Sequence, residues 1–131
     1  MPTILVYASR RLDESADNLA RIEATSAREN ACDGLTGALL HDSRVFLQML
    51  EGEHDAVARC FLRIAVSPLH ADIRVVSLAT RAARLYGDWS MRVVSAEGRE
   101  PGLAARVRRL RALPREERAA EADRVFLTLC D

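Results

Sequence analysis

The chain has 131 residues, enough for one domain that buries roughly two thirds of its unfolded surface without disulfide or metal staples. Its 19 basic residues are all arginines and balance 19 acids, so an extended nucleic-acid surface or an anionic membrane is not expected as the main partner. Cys32, Cys60 and Cys130, and likewise His41, His54 and His70, lack the short spacings of a zinc or redox site. Reduced thiols and no metal site are therefore expected.

The N-terminus, MPTILVYAS, carries no basic leader, and no window approaches the ~20 apolar residues of a membrane span. A soluble, cytoplasmic protein is expected on these grounds. Thr3 to Ser9 (TILVYAS) is β-branched and aromatic-rich, which predicts a buried strand with Tyr7 and Leu5 on one face. Arg10 to Asp13 reads as a polar connection, and Asp13 and Glu14 suit a helix start, where backbone N–H groups point outward.

That helix is expected to run to about Asn30, with Ala16, Leu19, Ala20, Ile22 and Ala27 as apolar positions. Ile22, Ser26 and Asn30 recur every four residues, so they form one line that passes from apolar to polar. Such a line suits the edge of a ligand better than a plain core.

Gly34 to Gly52 (GLTGALLHDSRVFLQMLEG) is apolar on both sides of Asp42, Ser43 and Arg44, and predicts two neighbouring strands joined by a tight turn. Gly37 inside the first of them marks a bulge or a close backbone approach. Gln48 shares a face with Phe46 and Leu50, and a primary amide buried there without partners costs several kcal/mol.

A second helix from Glu53 to about Val66 presents Val57, Cys60, Phe61 and Ile64 to a core, and Pro68 stops it. Arg74 to Ala82 predicts a fourth strand and WSMRVVS a short fifth, on which Trp89 and Met91 would share a face. Beyond the Gly98 to Gly102 linker, Leu103 to Leu113 and Pro114 to Leu129 read as helices. The arginine run from Arg106 to Arg111 reads as a solvated helix face.

The order predicts an α+β, ferredoxin-like β-α-β-β-α-β core with a fifth strand. Its two helices cover one sheet face, and the C-terminal pair is expected on the other. Residues 1–98 are then the ligand-binding part, and 99–131 a helical extension of the same globular unit.

With these elements placed, Tyr7, Asn30 and Gln48 can converge between the first two helices. The constellation resembles the BLUF family, the sensors of blue light using flavin. The resemblance covers residues 3 to about 95 and rests on LVYAS, ARENACDGLTG, FLQMLEG and GDWSM taken together.

It implies a non-covalently bound flavin between the two helices, FAD in the cell, with FMN or riboflavin as alternatives. Tyr7 and Gln48 would be the photochemical pair beside the flavin's N5 and O4 edge, and Asn30 would bind its pyrimidine end. Arg28 and Arg63 would be cationic partners for that end, Ile22 would pack on the ring face, and Ser26 and His70 would complete the site. In the family mechanism Tyr7 gives up an electron and a proton on illumination, and recombination leaves the Gln48 amide rearranged.

Trp89 or Met91 would relay that change to the surface. Departures from the family pattern fall at Ser67 and Leu69, where many relatives carry an acid and an arginine, and at Glu29, an asparagine in some members. They put phosphate-tail contacts in doubt. No catalytic segment is recognised, so the expected output is through an unknown downstream protein, within a homo-oligomer.

Taken singly, Tyr7, Trp89 and Met91 would be core residues, Asn30 a helix end, Gln48 a structural amide, and Arg28 and Arg63 solvated. Two rivals use the same topology. A small phosphate hydrolase would cradle an anion on Arg10 and Arg11, but that loop lacks glycines. A single-strand RNA binder would stack bases on Tyr7 and Phe46, but it would want net positive charge and an exposed sheet.

Overall fold

The computed structural model describes residues 1–12, 16–87, 89–97 and 102–130, without the side chains of 16–18 and 130. The expected helix start at Asp13 and Glu14, the apolar position Ala16, the linker from Gly98 and the Cys130 side chain lie outside the described residues. In chain order the elements are β1 (Thr3–Arg11), α1 (Ala16–Asp33), β2 (Thr36–His41), β3 (Val45–Gly52) and α2 (His54–Ala65). They continue as β4 (His70–Thr80), β5 (Arg92–Ser95), α3 (Leu103–Leu110), α4 (Arg115–Leu127) and a single 3-10 turn, Thr128–Cys130.

The five strands form one sheet in the order β4-β1-β3-β2-β5. Every neighbouring pair is antiparallel except β2 and β5, which run parallel. This is the expected ferredoxin-like arrangement with a fifth strand added beside β2. The central strand β3 and its neighbour β1 carry the longest apolar runs, as strands buried on both faces require.

Alternation along those strands divides the core in two. On one face Leu5, Tyr7, Leu39, Phe46 and Leu50 meet Ala56, Val57 and Cys60 of α2, with Leu19 and Ile22 of α1 packed against them. On the other, Ile4, Val6, Leu40, Leu47 and Met49 meet Leu103, Val107 and Leu110 of α3 and Ala122, Val125 and Phe126 of α4. The C-terminal helices thus cover the face that α1 and α2 leave open.

Gly37 is needed for a close approach. A Cβ at this position would stand 2.0 Å from the Met49 carbonyl oxygen, a backbone atom that cannot yield. Its N–H donates to the Trp89 carbonyl at 2.9 Å, which ties the segment before β5 to β2.

Three expectations are corrected. β1 continues through Arg10 and Arg11, and β4 begins at His70, because Arg10 pairs with Val45 and Ala71, and Arg11 with His70. Ladder pairing overrides the polar composition of these ends. Register shifts between Val6 and Tyr7 and between Ala8 and Arg10 bulge the edge strand β4, where Asp72 takes a positive φ of 53°.

The arginine run is a solvated face only in part: Arg108 and Arg109 are exposed, but three of its arginines reach across to other elements. Arg106 pairs with Glu121 of α4 at 2.8 Å, Arg108 with the fully buried Asp42 carboxylate at 2.5 Å, and Arg111 donates to the Asp72 carbonyl at 3.0 Å. Each fastens α3 to a different neighbour: α4, the β2–β3 turn and β4. Among the described residues no helix is long and apolar enough to cross a membrane.

Candidate functional site

The site is a cavity of about 340 Å³ between α1 and α2, floored by the sheet. That lies within the roughly 300 to 1,000 Å³ usual for small-molecule and cofactor pockets. Of the residues predicted for it, Tyr7, Ile22, Ser26, Asn30, Gln48, Arg63 and His70 line it. Arg28 is exposed and is not part of the lining.

Antiparallel pairing places Tyr7 of β1 directly opposite Gln48 of β3, so both side chains rise from the same face. The Tyr7 hydroxyl donates to Gln48 Oε1, and Gln48 Nε2 donates to the Met91 sulfur at 3.4 Å. The first bond fixes which way the amide points; the second ends on a weak acceptor. Burial pushes the Tyr7 phenol far above its ordinary value, with neighbouring Cys60 a smaller influence in the same direction, so the hydroxyl keeps its proton.

Asn30, buried at the end of the α1 line, donates from Nδ2 to the Ser90 carbonyl at 2.9 Å. Its Oδ1 accepts from the Cys60 thiol at 3.8 Å, again a weak partner. Burial raises the Cys60 pKa, which keeps the sulfur protonated as that donor.

His70 is held at both ring nitrogens. Nε2 faces the Ile64 carbonyl at 2.8 Å, which can accept only, so this nitrogen carries the proton and Nδ1 accepts from the Ser9 hydroxyl at 2.7 Å. Arg63 stands at the rim between two acids, Asp33 at 3.0 Å and Glu29 at 3.8 Å.

Arg21, Thr25 and Glu29 also line the cavity and were missed. They form the i,i+4 row one residue before Ile22, Ser26 and Asn30, so the helix offers two adjacent rows rather than one. The pattern was available in the sequence, but polar residues on a helix read as solvent-facing until a second helix is placed opposite.

Trp89 and Met91 do not share a face, and both precede β5. Met91 points into the cavity side of the core, while Trp89 packs on the opposite core. There Trp89 stacks on Tyr86 with centroids 4.7 Å apart and planes at 13°, and Arg92 lies over its ring at 4.5 Å. Because the segment has left strand geometry, the two-residue period no longer applies.

The residues fit a flat heteroaromatic ring with polar edges. Apolar walls come from Ile22, Leu39, Phe46 and Ile64, and two primary amides end on sulfur partners that a stronger donor or acceptor would replace. An oxidisable phenol stands beside one of these amides.

Comparison with known proteins agrees. The family model for BLUF, described as sensors of blue-light using FAD, matches residues 3–92. Photoactivated adenylate cyclase subunit beta of Euglena gracilis is 40% identical over 96 residues, 68% of this chain and 11% of that protein. A subunit beta-like protein, FB, from the same organism is 37% identical over 97 residues, 72% of this chain and 11% of that one. The chain therefore spans about a tenth of the length of these curated relatives.

Among solved structures, the dark state of BlrB, a BLUF protein, superposes with a TM-score of 0.81 at 33% identity, covering 95% of this chain and 94% of that one. A bacterial light-regulated adenylyl cyclase matches with a TM-score of 0.74 at 27% identity, over 97% of this chain and 39% of that chain. Family match, fold and the Tyr7–Gln48 pair at the cavity floor lead to one conclusion: this chain belongs to the BLUF family of flavin-using blue-light sensors.

Proposed function

We propose that light acts in this protein by turning the Gln48 amide, and that the turn is passed through Met91 and Trp89 to a partner protein. The observation that carries the reading is the line from Tyr7 Oη through Gln48 to Met91 Sδ along the cavity floor. A bound flavin supplies the absorption of blue light and a one-electron acceptor. The chain supplies the rest.

Tyr7 is the oxidisable neighbour, and its hydroxyl donates to Oε1, which selects one amide orientation in the dark. Turning the amide exchanges Oε1 and Nε2. The turned Nε2 then faces the tyrosine oxygen, which can accept, while Oε1 faces a thioether, which cannot donate. Contact with Met91 is lost, and the segment before β5 loses one of its ties to the site.

Asn30, Ile22 and Ser26 hold the ring, with Arg63 at the rim and the newly placed Arg21 beside them. FAD is the proposed cellular cofactor, with FMN and riboflavin also accepted because Leu69 brings the lining neither charge nor side-chain donor and Ser67 only one neutral hydroxyl. Homo-oligomers and an output protein complete the proposal. The light-activated cyclases among the relatives make a nucleotide cyclase one such output to test.

Absorption spectroscopy on the purified protein tests the reading. A yellow protein whose visible band moves reversibly to the red under blue light is expected. A colourless protein that takes up no added flavin, or a bound flavin with no shift, would overturn it.

A further inference from the structure

Glu51 is an acid with no exposure at all, on β3 and three residues beyond Gln48, facing the opposite core. Its carboxylate joins the start of β2 to the loop before β5. Oε1 accepts from the Tyr86 N–H at 2.9 Å and from the Thr36 hydroxyl at 2.9 Å, and Oε2 accepts from the Leu85 N–H. A fully buried carboxylate costs several kcal/mol unless such donors satisfy it, so its presence needs a reason beyond filling space.

The loop it holds is the one that reaches the flavin site. Trp89 N–H donates to the Tyr86 carbonyl at 3.0 Å, closing a turn, and the Trp89 carbonyl takes the Gly37 N–H. The next two residues meet both amides of the cavity: the Ser90 carbonyl accepts from Asn30, and the Met91 sulfur from Gln48. The same turn stacks Tyr86 on Trp89 and sends the Tyr86 hydroxyl to the Phe126 carbonyl of α4.

We propose that Glu51 is a positioning residue for the light switch. By clamping the Leu85 and Tyr86 N–H groups it sets where Ser90 and Met91 stand, and so sets the relative stability of the two Gln48 orientations. It touches neither amide itself. This rests on the amide-turning reading above.

The test compares wild type, E51Q and V107A as flavin-bound proteins, reading the dark recovery rate and the size of the red shift. Glu51→Gln keeps shape and one oxygen but puts an NH2 where an acceptor was needed. Val107 is buried on α3 and its side chain makes no hydrogen bond to this loop, so V107A shows what a loss of packing in the same core does.

E51Q should change the recovery rate by about threefold or more, a fraction of the roughly tenfold that a charge-assisted hydrogen bond can carry. V107A should lower the melting temperature while recovering at the wild-type rate. A smaller change in E51Q, or an equal change in both variants, overturns the proposal. If E51Q binds no flavin, E51D is read by the same threshold, and failure of both makes Glu51 a folding residue instead. A wild-type protein with no photocycle would defeat the amide-turning reading, a separate result from a wild type that cycles while E51Q cycles identically.

Discussion

Tyr7 and Gln48 face each other across the β1–β3 ladder, and the tyrosine hydroxyl donates to the amide oxygen. Directly opposed residues on neighbouring strands are the closest cross-strand pairs, so backbone register alone brings the phenol to the amide. The bond lies in the cavity floor, away from water, where an amide orientation costs more to reverse than it would at the surface.

Replacing Tyr7 by phenylalanine keeps the ring that meets Phe61 at 5.7 Å and removes only the hydroxyl. Flavin binding should persist and the light-induced shift should vanish. A normal shift in Tyr7→Phe would remove this residue from the photochemistry.

Gln48→Leu substitutes an apolar group of similar size and frees the site from finding amide partners. Folding and flavin uptake should change little, by less than about 1 kcal/mol in stability, while the reversible shift disappears. Continued cycling in that variant would make the amide structural.

The raised pKa of the buried Tyr7 hydroxyl gives a pH prediction with a definite sign. The unfolded chain ionises this phenol near 10.0 and the folded protein does so only at higher pH. Folding therefore keeps its full contribution from Tyr7 below that value and loses it as pH rises above, since the unfolded state then binds fewer protons. Denaturation midpoints of wild type and Tyr7→Phe should run parallel up to about pH 10 and diverge beyond it, the wild type falling faster. Parallel curves to pH 11 and beyond would show that the phenol ionises as easily folded as unfolded.

Flavin tails should matter little. His70 has both ring nitrogens engaged, Arg63 is flanked by Asp33 and Glu29, and Leu69 has no side-chain donor. Arg21 is an exposed rim cation, and exposed ion pairs are worth only about 0 to 1 kcal/mol. Titrating apoprotein with riboflavin, FMN and FAD should give affinities within about tenfold of one another. A hundredfold preference for FAD would point to a phosphate grip, with Arg21 the first residue to replace.

Ending the chain at Gly98 removes α3 and α4, whose Leu103, Val107, Leu110, Val125 and Phe126 cover Ile4, Val6, Leu47 and Met49. An apolar sheet face left open associates, so the 1–98 fragment should aggregate on size exclusion. Recovery of that fragment as a monodisperse, photoactive protein would show the helices to be dispensable.

The sequence by itself determined which face each residue takes inside a regular element. Alternation put Tyr7 beside Leu5 and Gln48 beside Phe46 and Leu50, and the four-residue row put Ile22, Ser26 and Asn30 on one line; the structure places all of these at the cavity side. Periodicity is a local property, set by backbone geometry, and is readable wherever the element is regular. Element order carried the sheet topology for the same reason: short connections leave few ways to arrange βαββαβ.

Only the tertiary structure decided what lies across from each face. Nothing local says that Arg108 reaches Asp42, 66 residues away, or that Arg21 rather than Arg28 borders the cavity. Arg10 and Arg11 enter β1, and His70 begins β4, because the ladder between them satisfies backbone groups that their polar side chains had marked as loop. Trp89 and Met91 part to opposite cores because the residues before β5 are held by Gly37, Tyr86 and Asn30 rather than by a strand's own repeat. Each of these depends on contacts between residues far apart in the chain, and their energy exists only once the whole sheet has formed.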